Sequence, residues 1–233
     1  MVDKATLLRQ LTMLLATGPP GVSLAARLAQ ACVTLLEVAG ASITLEAATP
    51  NRVTLAATDQ ISAELEQLQD VLSQGPCWDA YLSGSPQTTD LAPEQDRLWP
   101  QFGPAARQAV GQRSLFGLPM TPHGQTMGVL SVHLPGAVEL PIGLEDSQFL
   151  ADTIGAALLL DPQQHDPYGM AGPWSGRAQI HQATGMVIAQ LRIPADGAMA
   201  ILRAHAYAHN TGLDDIAEQV IRRTLTFGTE SNT

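Results

Sequence analysis

Apolar residues recur three and four positions apart in two segments near the start of the chain, a spacing that predicts amphipathic helices. The first segment carries Leu7, Leu8, Leu11, Leu14 and Leu15. The second carries Ala25, Leu28, Ala29, Cys32, Leu35 and Leu36. The same spacing predicts a helix at 144–160 with Leu150, Ile154, Ala157 and Leu158 on one face. A further helix is predicted at about 62–73.

Apolar and polar residues alternate at 42–45 and 53–57 around a Pro50–Asn51 turn, which predicts an antiparallel hairpin. Two more strand-like runs, 114–120 and 127–134, are joined by a turn-rich connection. We expect this second pair to form the centre of the sheet. Helices that bracket antiparallel strands give an α+β fold.

Residues 161–176 contain three prolines and three glycines without helical or strand periodicity, which predicts a linker. The predicted domains are therefore 1–160 and 177–228. The second holds three short helical segments with apolar stripes, at 177–191, 194–210 and 214–226. Such stripes pack against one another in a small all-α three-helix bundle. Pro194, Asn210, Gly212 and Asp214 are the expected boundary residues.

The charge is unevenly distributed between these two domains. The net charge is −10, which argues against broad nucleic-acid binding through phosphate neutralisation. Residues 1–160 hold seven Lys and Arg against fifteen Asp and Glu, whereas 177–223 hold five Arg against four acids. The acidic excess therefore lies outside the helical domain.

The two cysteines, Cys32 and Cys77, lie too far apart for a Cys-x-x-Cys pair, so we expect reduced thiols and no zinc site. No apolar run approaches the roughly 20 residues that span a bilayer, which favours a cytoplasmic protein. The sequence contains no phosphate-binding glycine loop and no recognisable catalytic triad or carboxylate pair. We therefore expect no enzymatic activity and no metal; a cofactor is left unknown.

The second domain resembles the ANTAR family of RNA-binding helical modules. The resemblance lies in RAQIHQATGMVI at 177–188, AMAILRAHAYAHN at 198–210 and LDDIAEQVI at 213–221. It implies a module that binds paired RNA hairpin loops in transcripts and suppresses a downstream terminator. Thr184 and Gly212 stand where many members carry basic residues, so two positive charges of the family pattern are missing.

The first domain resembles the GAF family of small-molecule sensors, which have a central antiparallel sheet flanked by helices. The segments that carry the resemblance are GPCWDAYLSG at 75–84, Leu98–Pro100, SLFGLPM at 114–120 and TMGVLSVH at 126–133. Together the resemblances imply a sensor that controls an antiterminator. A homodimer is expected because two paired RNA loops can be bound by two copies of the module, with the Leu7–Leu15 stripe and helix 144–160 as candidate surfaces. Packing onto the sheet is the alternative for both, and it is favoured for helix 144–160.

Unstacked RNA bases are recognised by aromatic or guanidinium planes, by hydrogen-bonding groups, and where small residues allow close approach. The candidate RNA-binding residues are Arg177, Ala183, Thr184, Gly185, Arg203, Tyr207, Asn210 and Arg222. Packing of Tyr207 in the bundle, capping by Asn210 and an ion pair between Arg203 and an acid such as Asp215 are the structural alternatives.

A ligand of the first domain would contact residues concentrated in two of the quoted segments. The candidate pocket residues are Cys77, Trp78, Tyr81, Trp99, Phe102 and His133. For the two tryptophans, a place in the core is the alternative.

Two other functions fit three short helices. A DNA-binding helix-turn-helix is one, although Asp214, Asp215 and Glu218 would repel phosphate at the start of its recognition helix. A protein-interaction module without nucleic acid is the other, and the low basic content is compatible with it. His205 and His209 lie four residues apart, but two ligands do not make a metal site.

Overall fold

The computed structural model describes residues 3–19, 21–47, 51–161, 174–209 and 211–227. The chain divides into two compact units with the main boundary after residue 166. Most of the predicted linker, 162–173, lies outside the described residues, as does Asn210.

The first unit is an antiparallel sheet with helices, as the alternation and spacing predict. Its strands are β1 Gly40–Ala47, β2 Asn51–Ala57, β3 Gln87–Thr89, β4 Arg113–Met120 and β5 Gly128–Pro135. Its helices are α1 Lys4–Ala16, α2 Leu24–Leu36, α3 Gln60–Leu72, α4 Pro76–Ser83, α5 Phe102–Val110 and α6 Leu144–Leu159. The strand order is β2-β1-β5-β4-β3. The predicted hairpin is β1 and β2, and the second predicted pair is β4 and β5, with β5 central.

One face of the sheet is apolar and packs against helices. Ile43 and Leu45 of β1 and Leu130 and Val132 of β5 alternate along their strands and share a core with buried residues of α2 and α6. The period of two along each strand places the intervening residues on the opposite face, where the side chains are mostly polar. One face of the sheet is therefore apolar and the other is mostly polar.

Helices α4 and α5 and the edge strand β3 escape the sequence prediction because they are short and lack a long periodic stripe. Helix α4 packs close to β4 at Gly117. A Cβ atom there would lie 2.8 Å from the carbonyl oxygen of Pro76. The glycine is required because the backbones approach too closely for a side chain.

The second unit is the predicted three-helix bundle, so the fold class is confirmed for both units. Its helices are α7 Trp174–Leu191, α8 Ala195–His209 and α9 Leu213–Ile221. Its buried core contains Ile180, Ala183, Val187, Ala198, Met199, Leu202, Ala206, Leu213, Ile216, Ala217 and Val220. All of these side chains are apolar, and they come from the three predicted stripes and their neighbours.

The boundaries of α9 differ from the prediction at both ends. The carboxylate of Asp215, not Asp214, accepts the N–H of Gly212 at the start of the helix, at 3.3 Å. The helix ends at Ile221, earlier than the expected Thr226, because the next residues turn back. Arg223 has a left-handed φ of 59°, and Phe227 donates its N–H to the side chain of Gln190 at 2.9 Å.

Candidate functional site

The outer face of α8 presents one large side chain on an otherwise small surface. Tyr207 is 55% exposed. Ala200, Ala204 and Ala208 are exposed on the same helix, and Arg203 is half-buried one turn before Tyr207. Tyr207 does not pack into the bundle core. Its ring is accessible, and the alanines leave room for a flat group to approach it.

The expected open patch on α7 is largely buried. Ala183 is fully buried, and Thr184 is 8% exposed with its hydroxyl donating to the carbonyl of Ile180 at 2.7 Å. Only Gly185 faces outward, with no atom within 4 Å of an added Cβ. Ala183 and Thr184 therefore offer little surface for a contact with RNA, because the helix turns both of them into the bundle.

The two histidines of α8 belong to a cluster of rings that includes Phe227. The rings of His205 and His209 stack with centroids 4.2 Å apart, and Phe227 meets His205 edge-on at 5.4 Å. Burial lowers the pKa of His205, and the nearby His209 lowers it further. Among the residues that the structure describes, no group of three His, Cys, Asp or Glu could hold a metal ion.

Two arginines of the bundle, Arg222 and Arg192, are exposed in different settings. Arg222 is exposed and pairs with Glu218 at 2.6 Å, one turn earlier. Arg192 is exposed immediately after α7, with a left-handed φ of 56°. Sequence reasoning missed Arg192, although a basic residue directly after an amphipathic stripe is a visible signal. The side chain of Arg177 lies outside the described part of the chain.

The six predicted ligand-pocket residues do not converge on one described cleft. Cys77 and Tyr81 pack with Ala80 and Val129. Trp99 and Phe102 form a separate edge-on pair with ring centroids 6.5 Å apart, and the indole N–H of Trp99 donates to Asp79 at 2.9 Å. These contacts make both residues part of the core.

Cys77 lies in surroundings that suppress thiol chemistry. It is fully buried, and its N–H donates to the side-chain carbonyl of Gln69 at 2.8 Å. Burial raises the pKa of the Cys77 thiol to about 12, with the charge of Glu66 acting in the same direction. At neutral pH the group is therefore a protonated thiol and a poor nucleophile.

A buried ion pair occupies the polar face of the sheet. The carboxylate of Glu66 on α3 accepts hydrogen bonds from Ser42 and Thr44 of β1 and from Arg52 of β2, each at 2.9 Å. The side chains of Arg52 and Glu66 are 2% and 3% exposed. The guanidinium lies 5.6 Å from the ring of Trp78. This network, which the sequence did not reveal, couples β1 and β2 to α3.

His133 lies on the same sheet face, beside a second charged group. Its Nε2 is 3.3 Å from each carboxylate oxygen of Asp59, and its Nδ1 is 3.4 Å from Arg113. Burial lowers the pKa of His133, while Asp59 opposes that change. Burial alone would raise the pKa of Asp59, but the N–H of Ser62 and the charge of His133 bring it below its usual value.

One family model matches part of the chain, within its helical unit. Residues 174–221 match the family model of the ANTAR domain. Among curated proteins, none matches the chain.

Within the described ranges, no single helix is long and apolar enough to cross a membrane. The stretches Gln182–Leu191 and Ala195–His209, which meet at a bend of 106°, meet that test only as a pair.

Solved structures to which this chain is similar include the A. aeolicus nlh2 GAF domain in an inactive state. It is 13% identical, with a TM-score of 0.43, and the match covers 66% of this chain and 92% of that chain. SdiA in complex with octanoyl-rac-glycerol is 17% identical with a TM-score of 0.43, covering 96% and 97%. An RNA-binding Light-Oxygen-Voltage receptor is 18% identical with a TM-score of 0.23, covering 78% and 46%.

Proposed function

We propose, from the premise that residues 174–221 form an ANTAR domain, that this protein is a signal-responsive RNA-binding regulator of transcription termination. The bundle would bind paired hairpin loops in a nascent transcript and prevent a terminator from forming. Such a function places the protein in the cytoplasm and requires no catalysis. The exposed ring of Tyr207 is the observation in the structure that supports this role most directly.

The face of α8 fits single-stranded bases better than duplex backbone. A base stacked on an aromatic ring contributes about 1–3 kcal/mol, and the stack tolerates any base because every base has a π-face. Tyr207 supplies such a ring, and exposed alanines on either side leave the ring open to a splayed base. Arg203, one turn away, adds a guanidinium for stacking or hydrogen bonding.

The helix-turn-helix alternative receives less support from the same geometry. A recognition helix presents basic and amide groups to the major groove at its start. Here Asp214 and Asp215 are exposed at the start of α9, and Asp215 is engaged in the turn through Gly212 and Thr211. Two carboxylates at that position would repel the DNA backbone.

We further propose that the sheet unit senses a small molecule or a partner and shifts the population of an RNA-binding form. A ligand shifts such an equilibrium only when it binds one form better than the other. Dimerisation is the proposed bistable step, since paired loops match two copies of the bundle. On α1, Leu8 and Met13 are 40% and 62% exposed, which supports this helix as a contact between copies.

The test is fluorescence anisotropy with the full chain at stated salt, using a two-hairpin RNA, the corresponding single hairpin and a duplex DNA of equal length. We expect the two-hairpin RNA to bind most tightly. Equal binding to both RNAs would contradict the proposal that a dimer binds two hairpin loops at once. Preference for duplex DNA would favour the helix-turn-helix, and absence of nucleic-acid binding would favour a protein-interaction module.

A further inference from the structure

A groove in the sheet unit, on the side of α1 and α2, lies away from every residue predicted to hold a ligand. It has a volume of about 350 Å³. The end of α1 and the following loop form one wall, α2 forms another, and the end of β2 closes it. Its apolar lining includes Leu14, Pro19, Val22, Ala26, Ala31 and Ala57. The volume falls within the range of about 300–1,000 Å³ that is typical of small-molecule pockets.

Arg27 is half-buried and brings a positive charge to the lining of this groove. Its Nη1 donates to the carbonyl oxygen of Leu15 at 3.1 Å, while its Nε is buried without a hydrogen-bond partner. A buried charged donor without an acceptor is unfavourable, because the lost hydration is not replaced. Gly18 permits this position, since a Cβ there would lie 2.5 Å from Cδ of Arg27.

No carboxylate lies among the residues that line the groove, and its polar lining residues other than Arg27 are the uncharged Gln30, Thr34 and Thr58. Arg27 is the one charged residue among those lining it. Asp59 follows the lining residue Thr58, but its carboxylate is directed to the N–H of Ser62, at 2.8 Å, and to His133. Thr34 lies two turns after Arg27 on α2 and is exposed at the mouth.

We propose that this groove binds a free small molecule with a carboxylate head and a short aliphatic chain. The carboxylate would accept a charge-assisted hydrogen bond from the guanidinium of Arg27. The chain would lie along Leu14, Val22 and Ala26, where burial of apolar surface is favourable. The proposal gives a ligand class to the sensing role above, but its binding step does not depend on RNA.

Isothermal titration calorimetry of the full chain without RNA tests the proposal, with octanoate as the probe. Octan-1-ol and octylammonium supply the same chain with a neutral and a cationic head, all below micellar concentration. We expect octanoate to bind at one site and the other two to bind at least about tenfold more weakly, because a charge-assisted hydrogen bond is lost. No octanoate binding, or equal binding of the alcohol, would overturn the proposal.

Two variants locate the site. Arg27→Gln should weaken octanoate binding by about tenfold, whereas Arg9→Gln, which removes the same charge from an exposed position on α1, should leave it unchanged. Ala26→Leu should abolish binding by filling the groove while Arg27 stays intact. If Arg27→Gln disturbs the end of α1, the Ala26→Leu variant still tests whether octanoate binds in the groove. Unchanged affinity in folded Ala26→Leu would place octanoate elsewhere and overturn the assignment.

A separate experiment distinguishes binding of a free carboxylic acid from binding of a membrane surface. Flotation with vesicles of mixed neutral and anionic phospholipid should leave the protein in the aqueous fraction. Co-flotation combined with no response to octanoate would assign the groove to a lipid surface and contradict the proposal. Fluorescence anisotropy with RNA, measured on the same preparations, tests RNA binding separately from carboxylate binding. If the protein does not bind RNA, the calorimetric result for octanoate is unaffected.

Discussion

Each unit of the molecule holds a glutamate–arginine pair at hydrogen-bond distance, and the two pairs lie in opposite surroundings. Arg52 and Glu66 in the sheet unit are 2% and 3% exposed, at 2.9 Å. Arg222 and Glu218 in the bundle are 72% and 46% exposed, at 2.6 Å. The same chemistry therefore has different consequences, because water solvates one pair and is excluded from the other.

The comparison extends to the way in which each unit uses its polar side chains. The sheet unit buries Glu66, Arg52 and His133 against one face of its sheet, whereas the described core of the bundle is apolar apart from Thr184. We infer that the electrostatic sensitivity of the molecule is concentrated inside the first unit. In the second unit, the side chain proposed to contribute most to RNA binding, Tyr207, is at the surface, so we expect its removal to cost little stability.

The largest expected effect is that of Glu66→Ala. Removing one partner of a buried ion pair leaves the other charge without compensation, which costs about 3–5 kcal/mol of unfolding free energy. Urea unfolding of the full chain, followed by tryptophan fluorescence, measures it, since Trp78 and Trp99 both lie in the sheet unit. A loss below about 1 kcal/mol would mean that the pair is solvated in solution.

Two glycine substitutions sharpen the comparison at an intermediate size of effect. Gly117→Ala should destabilise the sheet unit by about 1–3 kcal/mol, because its Cβ would lie 2.8 Å from a backbone oxygen of α4. Gly185→Ala in α7 should stabilise the bundle by about 0.5–1 kcal/mol, since the site is open and alanine favours helix. Thermal melting of both variants measures the contrast, and equal effects of one sign would contradict it.

The pH dependence of stability should differ between the units through their histidines. Because the folded-state pKa of His133 is lowered, its contribution is fully present above its unfolded value of 6.5 and is lost as pH falls below that value. Asp59, whose folded pKa is also lowered, loses its contribution below 3.8. We expect acid to weaken the sheet unit first in the interval just below pH 6.5.

His133→Gln should flatten that pH dependence, measured as urea midpoints at a series of pH values. His205→Gln is the matched variant in the bundle. The pKa of His205 is also lowered by burial, so the sign is the same, but the ring is half-buried and the effect should be smaller. A larger change from His205→Gln would reverse the assignment of acid sensitivity to the sheet unit.

The smallest expected effect is that of Glu218→Ala. An exposed pair one helical turn apart contributes about 0.3–0.5 kcal/mol, and salt screens it further. Urea unfolding in low and moderate salt measures the difference from the parent chain. A loss comparable to that of Glu66→Ala would erase the distinction between the two pairs.

Much of this architecture follows from periodicity alone. The stripes at Leu28–Leu36 and Leu150–Leu158 predict helices that the structure confirms, and the alternation at 42–45 and 53–57 predicts the β1–β2 hairpin. The ANTAR recognition is confirmed at 174–221. These features are local, so a window of neighbouring residues contains the information they need.

The buried charges could not be predicted in the same way. Glu66 and Arg52 are fourteen residues apart on different elements, and nothing in either neighbourhood marks them as partners. The burial of Thr184 was also missed, because its position on the helix depends on how α7 packs rather than on the motif around it. Tertiary packing determines both the Arg52–Glu66 pairing and the burial of Thr184, and neither can be predicted from the neighbouring sequence.

The central claim is that the face of α8 reads RNA through Tyr207, and one pair of affinities tests it most directly. Anisotropy titrations of the two-hairpin RNA at fixed salt should show Tyr207→Ala weakened by about 1–3 kcal/mol, or roughly 5- to 150-fold, because a stacking platform is lost. Tyr207→Phe, which keeps the ring, should bind like the parent chain. Equal affinity of all three proteins, each with an unchanged melting temperature, would contradict the account.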